Sequence, residues 1–252
     1  CSAANYAIHH SDLLILIGTR AGDRAMRQPG VLERQTRIIH IDIDPAEIRK
    51  NMEANIPLVA DARLVLEELC ETCQATDTGM WLAELREKQG VGAPFSDRPS
   101  FVNPHRLIAA LTKALDSDAV YVADVGLNQI WSARSANIKD GRFLTSGGMG
   151  TMGYALPAAM GARLATTARQ VVAVMGDGGF QMNMQELQFI VREKLPITII
   201  IVNNHALGMI RHFQEMYFQA HYYQTVSGEG YSAPDFSKLA DAYRMKYTRI
   251  EN

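Results

Sequence analysis

Two short segments of this sequence combine residue types that can hold a cation and a phosphate together. Gly176-Asp177-Gly178-Gly179 follows the apolar run Val171-Val172-Ala173-Val174-Met175, and Asn203-Asn204 follows a second apolar run over 197–202. Twenty-four residues separate Gly178 from Asn203. A carboxylate and an amide oxygen are hard donors suited to Mg²⁺, which prefers octahedral oxygen coordination and usually takes only one or two protein carboxylates. Glycines beside Asp177 let backbone N–H groups approach an anion, and a helix N-terminus adds a favourable dipole. Alone, each segment is ordinary, because Asp-Gly is mainly a turn signal. If both apolar runs are strands of one parallel sheet, both ends fall on the ligand-binding edge and Asp177 can meet Asn204.

The elements that must position these residues are visible as periodicity. Apolar runs over 13–17, 38–43 and 58–61 predict parallel strands, with helices over 45–52 and 62–70. The first residues read as the end of a helix leading into the first strand. From 104 onward, strands are expected at 119–123, 143–145, 171–175, 197–202 and 247–250. Helices are expected from Pro104 and at 128–136, 154–165, 184–193, 208–219 and 235–243. The helix after the glycine segment is expected to begin a few residues beyond it. The fold class is therefore α/β: a doubly wound parallel-sheet domain over 101–252, preceded over 1–75 by part of a second Rossmann-like α/β domain. Between them, 76–100 is rich in glycine and proline and reads as a linker with one short helix near Trp81.

Composition limits the partners. The chain has 252 residues, 47% of them hydrophobic, with 25 Lys plus Arg against 27 Asp plus Glu and a formal charge of −2. That balance argues against disorder and lacks the basic footprint of a nucleic-acid or membrane-surface binder. No apolar run approaches the roughly 18 residues of a membrane span, which points to a soluble, cytoplasmic protein. Cys70 and Cys73 form a lone C-x-x-C after a helical run and are expected to be surface thiols. Tyr217, Phe218, Tyr222 and Tyr223 are expected to pack in a core or lid, and His205 to line its loop.

The GDG and NN segments, each after an apolar strand and two dozen residues apart, resemble the diphosphate-magnesium motif of thiamine-diphosphate (ThDP) enzymes. The likeness extends further. Residues 145–159, from Thr145-Ser146-Gly147-Gly148-Met149-Gly150 through Pro157-Ala158-Ala159, resemble the segment before the motif in acetolactate (acetohydroxyacid) synthase catalytic subunits. Asn203-Asn204-His205-Ala206-Leu207-Gly208-Met209-Ile210-Arg211 and Ser232-Ala233-Pro234-Asp235-Phe236 resemble the stretch after it. Gly18-Thr19-Arg20-Ala21-Gly22-Asp23-Arg24 and Ile39-His40-Ile41-Asp42-Ile43-Asp44-Pro45 are similar to that family's middle, FAD-binding domain.

The resemblance implies that Asp177 and Asn204 hold Mg²⁺ through side chains and Ala206 through its carbonyl. Gly126, Asn128, Gly150, Met152, Gly176, Gly178, Gly179, Asn204 and Met209 would contact ThDP, with Gly178 and Gly179 offering N–H groups to the diphosphate. Met152 takes the one catalytic role, matching the bulky residue that wedges the cofactor into its V shape; the bland alternative is a flexible core filler. The implied reaction decarboxylates pyruvate and passes the two-carbon unit to a second 2-ketoacid, giving 2-acetolactate and CO₂, a step in branched-chain amino acid biosynthesis. Arg20, Arg24 and Asp42 match positions near the flavin, although several relatives keep this pattern without FAD. In that family an activating Glu comes from an N-terminal domain across a dimer interface. This chain is expected to be a piece lacking that domain, inactive alone, from a homodimer or tetramer with a regulatory subunit as a further expected partner. Glu186 is no substitute for the missing Glu.

The sequence departs from the family at Gly126-Leu127-Asn128-Gln129, where Gly-Gln-His-Gln is usual, so Asn128 must serve for His against the diphosphate. Phe213 stands where a Trp helps select 2-ketobutyrate as acceptor, which leaves the second substrate open. Decarboxylases, oxidases and other carboligases acting on 2-ketoacids share the metal motif. An alternative of another class is a non-catalytic nucleotide-binding or assembly module. Gly148-x-Gly150-x-x-Gly153 formally fits a dinucleotide fingerprint, but within a long loop rather than a tight strand-to-helix turn.

Overall fold

A computed structural model of the protein describes residues 2–22, 29–88, 101–166 and 169–251. The chain divides into two compact units, Cys1–Pro94 and Phe95–Asn252. The first contains α1 (Ser2–His10), β1 (Leu13–Ile17), α2 (Pro29–Gln35), β2 (Arg37–Asp42), β3 (Ile56–Val59), α3 (Ala62–Thr72) and α4 (Gly79–Glu87). Its strands pair in parallel in the order β1-β2-β3, with Ile15 level with Ile39 and Ile39 with Ile56. Leu16, Leu32, Ile38, Met52 and Ala54 form the core. Asp61 caps α3 by accepting from the Arg63 N–H. Cys70 and Cys73 are exposed, as expected.

Two expectations for this unit change. Residues 45–52 form consecutive turns rather than a helix, because the Asp42 and Asp44 carboxylates take the amides of Asp44 and Ala46, and Arg49 turns the chain at φ 60°. The helix foreseen inside the linker belongs to the first unit: Tyr6 of α1 donates to Glu84 of α4 and its ring lies 6.1 Å from that of Trp81.

The second unit contains α5 (Pro104–Ala114), β4 (Val120–Ala123), α6 (Leu127–Ser135), β5 (Arg142–Thr145), α7 (Ala155–Ala165), β6 (Val171–Gly176) and α8 (Asp177–Met182). After a 3₁₀ turn (Met184–Glu186) come α9 (Leu187–Arg192), β7 (Ile197–Val202), α10 (Gly208–Tyr217) and α11 (Phe236–Ala242). Among the described residues the sheet has the order β5-β4-β6-β7, and every pairing is parallel. Val171–Met175 is buried throughout, as a central strand covered on both faces requires. Val120, Val122, Ala173, Met175, Leu156 and Ala159 build one core, while Tyr121, Ala123, Val172 and Val174 build the other. The chain leaves β4 for β5 on one side and returns to β6 on the other. This places a topological switch point between β4 and β6 at their carboxyl ends.

Residues 247–250 are not a strand. Tyr247 and Ile250 are exposed, and β-branched residues with no ladder partner do not make one. The helix expected over 184–193 is interrupted, its first turn being 3₁₀. Tyr217, Phe218 and Tyr223 lie on the surface rather than in a core, with Phe213 packed 4.5 Å from the Tyr217 ring.

Candidate functional site

The switch point opens into a cavity of about 220 Å³. The turn after β4 supplies Gly126 and Asn128, and the loop after β5 supplies Gly150 and Met152. The end of β6 supplies Gly176, Asp177, Gly178 and Gly179, and the stretch after β7 supplies Asn204, Ala206 and Met209. Residues foreseen at four separated places in the sequence thus share one cavity wall. Val125, Leu127, Trp131, Val202, Leu207 and Ile210 add apolar lining.

Asp177 is the polar centre of this wall, only 1% exposed. It is the first residue of α8, so the helix begins at the motif itself and not some residues beyond it. Its Oδ2 accepts from the Tyr231 hydroxyl at 2.8 Å, whereas its Oδ1 is buried with no hydrogen-bond partner. Burial pushes the Asp177 carboxyl above the usual range, opposed by the Tyr231 hydroxyl, the peptide N–H groups of Asp177 and Asn204, and His205. The Tyr231 phenol is raised in turn, first by burial and then by the Asp177 carboxylate. A buried carboxylate oxygen with an unfilled acceptor is costly unless a cation completes it. Asn204 presents its carboxamide from the next strand end, its Oδ1 accepting the Ala206 N–H at 3.2 Å. Among the described residues no group of three His, Cys, Asp or Glu forms a metal site. A cation held here would therefore complete its shell with oxygens of a bound anion and water.

The glycines are required by contact. A Cβ on Gly178 would fall 2.4 Å from Leu207 Cδ2 and 3.1 Å from Met152 Cε, and one on Gly179 would fall 2.1 Å from Asp124 Oδ2. The backbone of the first turn of α8 is thus open to the cavity on one side and crowded on the other. Met152 touches this turn at Gly178, on a loop that the buried Asp124 anchors.

Asp124 was not foreseen as a site residue. Its Oδ1 accepts the Val125 N–H at 2.8 Å and the Gly153 N–H at 3.0 Å, and burial raises its carboxyl against the pull of the amides of Val125, Gly153, Tyr154 and Ala155. This geometry weakens the dinucleotide reading, because the Gly153 N–H that would face a phosphate is spent on Asp124. Asn128 also differs from expectation. Its Nδ2 donates to the carbonyls of Asp124 (2.9 Å) and Val174 (3.2 Å), tying α6 to two strand ends. With both amide hydrogens engaged, its side chain offers no N–H to a diphosphate.

In the first unit, Arg20 follows β1 and Asp42 ends β2, both at the carboxyl edge of the sheet. Arg20 lies 3.8 Å from Glu47, and Asp42 accepts the Asp44 N–H at 2.9 Å. Arg24 lies outside the described residues. Tyr231 and Gln181, which contact Asp177, are further residues that the sequence reading missed. For Asp124 a signal existed, a carboxylate directly after a buried apolar strand; for Tyr231 there was none beyond its neighbouring glycines.

Residues 124–252 match the thiamine pyrophosphate enzyme C-terminal TPP binding domain, and residues 1–69 match the thiamine pyrophosphate enzyme central domain. The chain is 40% identical over 261 residues to the probable acetolactate synthase large subunit of Methanocaldococcus jannaschii, covering 98% of this chain and 43% of that protein. It is 36% identical over 254 residues to the acetolactate synthase large subunit of Lactococcus lactis, covering 99% and 44%. It is 40% identical over 260 residues to the acetolactate synthase of Mycobacterium avium, covering 99% and 42%. The chain therefore spans less than half the length of these curated relatives.

Proposed function

Because the chain belongs to the thiamine pyrophosphate enzyme family and carries its central and TPP-binding domains, we propose that the switch-point cavity holds ThDP with Mg²⁺ and that the full-length protein is an acetolactate synthase. The observation that carries this reading is Asp177 Oδ1, a buried acceptor without a partner in the cavity wall that also includes Asn204, Gly178 and Gly179. Asp177 Oδ1, the Asn204 carboxamide oxygen and the Ala206 carbonyl would hold the cation. The N–H groups at the start of α8, where Gly178 and Gly179 line the cavity, would face the diphosphate.

When bound, ThDP supplies an electron sink for loss of a carboxylate from C2 of a 2-ketoacid. The chain's own residues bind and orient. Met152 limits the space above Gly178, Asp124 holds the loop that carries Met152, and Val125, Leu127, Trp131 and Leu207 give the cavity an apolar wall that disfavours water. In the net reaction the C1–C2 bond of pyruvate breaks and CO₂ leaves. C2 forms a new bond to the keto carbon of a second 2-ketoacid, whose oxygen takes a proton. The names of the relatives support pyruvate as donor, and Phe213 leaves the acceptor open. That two of these relatives are large subunits supports a smaller regulatory partner, and assembly as a homodimer or tetramer belongs to the same proposal.

The first unit extends the reading to FAD. Gly18 turns the chain at φ 57° after β1 and Asp42 closes β2, the places where a Rossmann-like edge meets a dinucleotide. A place in branched-chain amino acid biosynthesis and a cytoplasmic location follow from the same reading; no described helix is long and apolar enough to cross a membrane.

The test is to incubate the full-length protein with pyruvate, Mg²⁺ and ThDP. Acetolactate is expected. Acetaldehyde or peroxide would move the protein to a decarboxylase or oxidase branch, and absence of any ThDP-dependent product would contradict the proposal.

A further inference from the structure

We propose that Tyr231 is the positioning residue that turns Asp177 into a cation ligand, by binding one carboxylate oxygen so that the other is left to face the cavity. The inference rests on reading that cavity as a ThDP and Mg²⁺ site. A carboxylate can present either oxygen, and in a buried pocket the hydrogen bond it accepts decides which one. Here Tyr231 donates to Oδ2 at 2.8 Å and Oδ1 has no partner.

The phenol's direction is itself determined. Gln181, one turn further along α8, donates its Nε2–H to the Tyr231 oxygen at 3.1 Å and to the Asp177 carbonyl at 3.2 Å. With its oxygen accepting from Gln181, the phenol's single proton is committed to Asp177. Tyr231 also belongs to the stretch that pairs with the other candidate ligands. Leu207 N–H donates to the Thr225 carbonyl at 2.8 Å, Ala206 pairs with Val226, and the N–H groups of Glu229 and Tyr231 return to the Val226 carbonyl. Gly228 and Gly230, at φ 88° and 90°, permit that tight return. One compact loop thus ties the Asn204–Ala206 stretch after β7 to the carboxylate at the end of β6, fixing both ligand-bearing ends against each other.

The experiment uses the full-length protein and equilibrium dialysis of ThDP at increasing Mg²⁺, comparing wild type, Tyr231→Phe and Gln181→Leu, with the Tm of each cofactor-free protein. Loss of an outer partner of a metal ligand typically costs 10–100-fold in metal affinity. Tyr231→Phe, which keeps the ring, is expected to raise the Mg²⁺ needed for half-maximal ThDP binding about tenfold. Its cofactor-free Tm should fall by several degrees, because the second buried oxygen of Asp177 also loses its partner. Gln181→Leu should shift the Mg²⁺ requirement the same way by about threefold, and it keeps the test decisive if Tyr231→Phe does not fold. A purely packing role, which the retained ring of Tyr231→Phe would still fill, would leave both Tm and the Mg²⁺ requirement in place. An unchanged Mg²⁺ requirement in the variants, beside a wild type that needs Mg²⁺, would overturn the role of Tyr231 alone. A wild type whose ThDP binding ignores Mg²⁺ would overturn the site reading and this inference with it.

Discussion

The two units carry parallel sheets of the same construction, yet their carboxyl edges are chemically unlike. At the first edge, the polar groups are satisfied locally: His40 lies 3.0 Å from the Thr19 carbonyl, Asp42 caps Asp44, and Arg20 and Lys50 flank Glu47. Glu47 Oε2 is also buried without a hydrogen bond, but two cations neutralise that carboxylate through its other oxygen. At the second edge, Asp177 makes no ion pair among the described residues, its Oδ1 is unfilled, and Gly178 and Gly179 line the cavity beside it. The fold supplies an edge, and it becomes a site where polar groups are held in place but left incomplete.

Glycine substitutions should separate the two edges most sharply. Gly179→Ala pushes a methyl to 2.1 Å from the buried Asp124 carboxylate. It should destabilise the protein by about 3 kcal/mol, read as a fall in Tm or denaturation midpoint. Gly18→Ala at the first edge meets nothing within 4 Å and has only its φ of 57° against it, for about 1 kcal/mol. Equal losses at both positions would break the comparison. Met152→Ala should lower turnover about tenfold, roughly 1.4 kcal/mol of transition-state stabilisation, while ThDP still binds through its diphosphate. An unchanged turnover would leave Met152 as packing. Smallest of all, Arg20→Ala and Asp42→Ala should change the Mg²⁺ requirement for ThDP binding less than about twofold, since their partners lie within the first unit and none is shared with Asp177. A larger shift would tie the first edge to the metal site.

Much of this difference was legible in the sequence. Apolar runs such as 13–17 and 171–175 announce parallel strands, but only Val171–Met175 is buried throughout, whereas Leu13, Ile15 and Ile17 of β1 are exposed. Glycine, carboxylate and amide at consecutive strand ends announce convergence, because parallel strands must end together. The foreseen residues Gly126, Gly150, Met152 and Met209 share the cavity for the same reason. What could not be read is contact across loops. Tyr231 meets Asp177 across 54 residues, through a turn built by two glycines, and Asp124 meets Gly153 across 29 residues. No periodicity encodes either. Asn128 reaches the cavity as foreseen, but its side-chain amide hydrogens go to two strand-end carbonyls, a use that its place opposite a histidine did not suggest. The strand expected over 247–250 failed because side-chain type cannot supply a pairing partner.

The central claim is that Asp177 is held buried and incomplete in order to take a cation. The measurement that tests it most directly is Asp177→Asn in the full-length protein, read as Mg²⁺-dependent ThDP binding together with the Tm of the cofactor-free protein across pH. A carboxyl whose folded pKa is raised costs stability once ionised, so the penalty grows as pH rises from the ordinary carboxylate range through the folded pKa and disappears below that range. The account predicts that Asp177→Asn weakens ThDP binding at least about a hundredfold. It also predicts that the variant raises the cofactor-free Tm at neutral pH by about 2 °C, a gain that shrinks on acidification. An Asp177→Asn protein that binds ThDP with the wild-type Mg²⁺ requirement would contradict it.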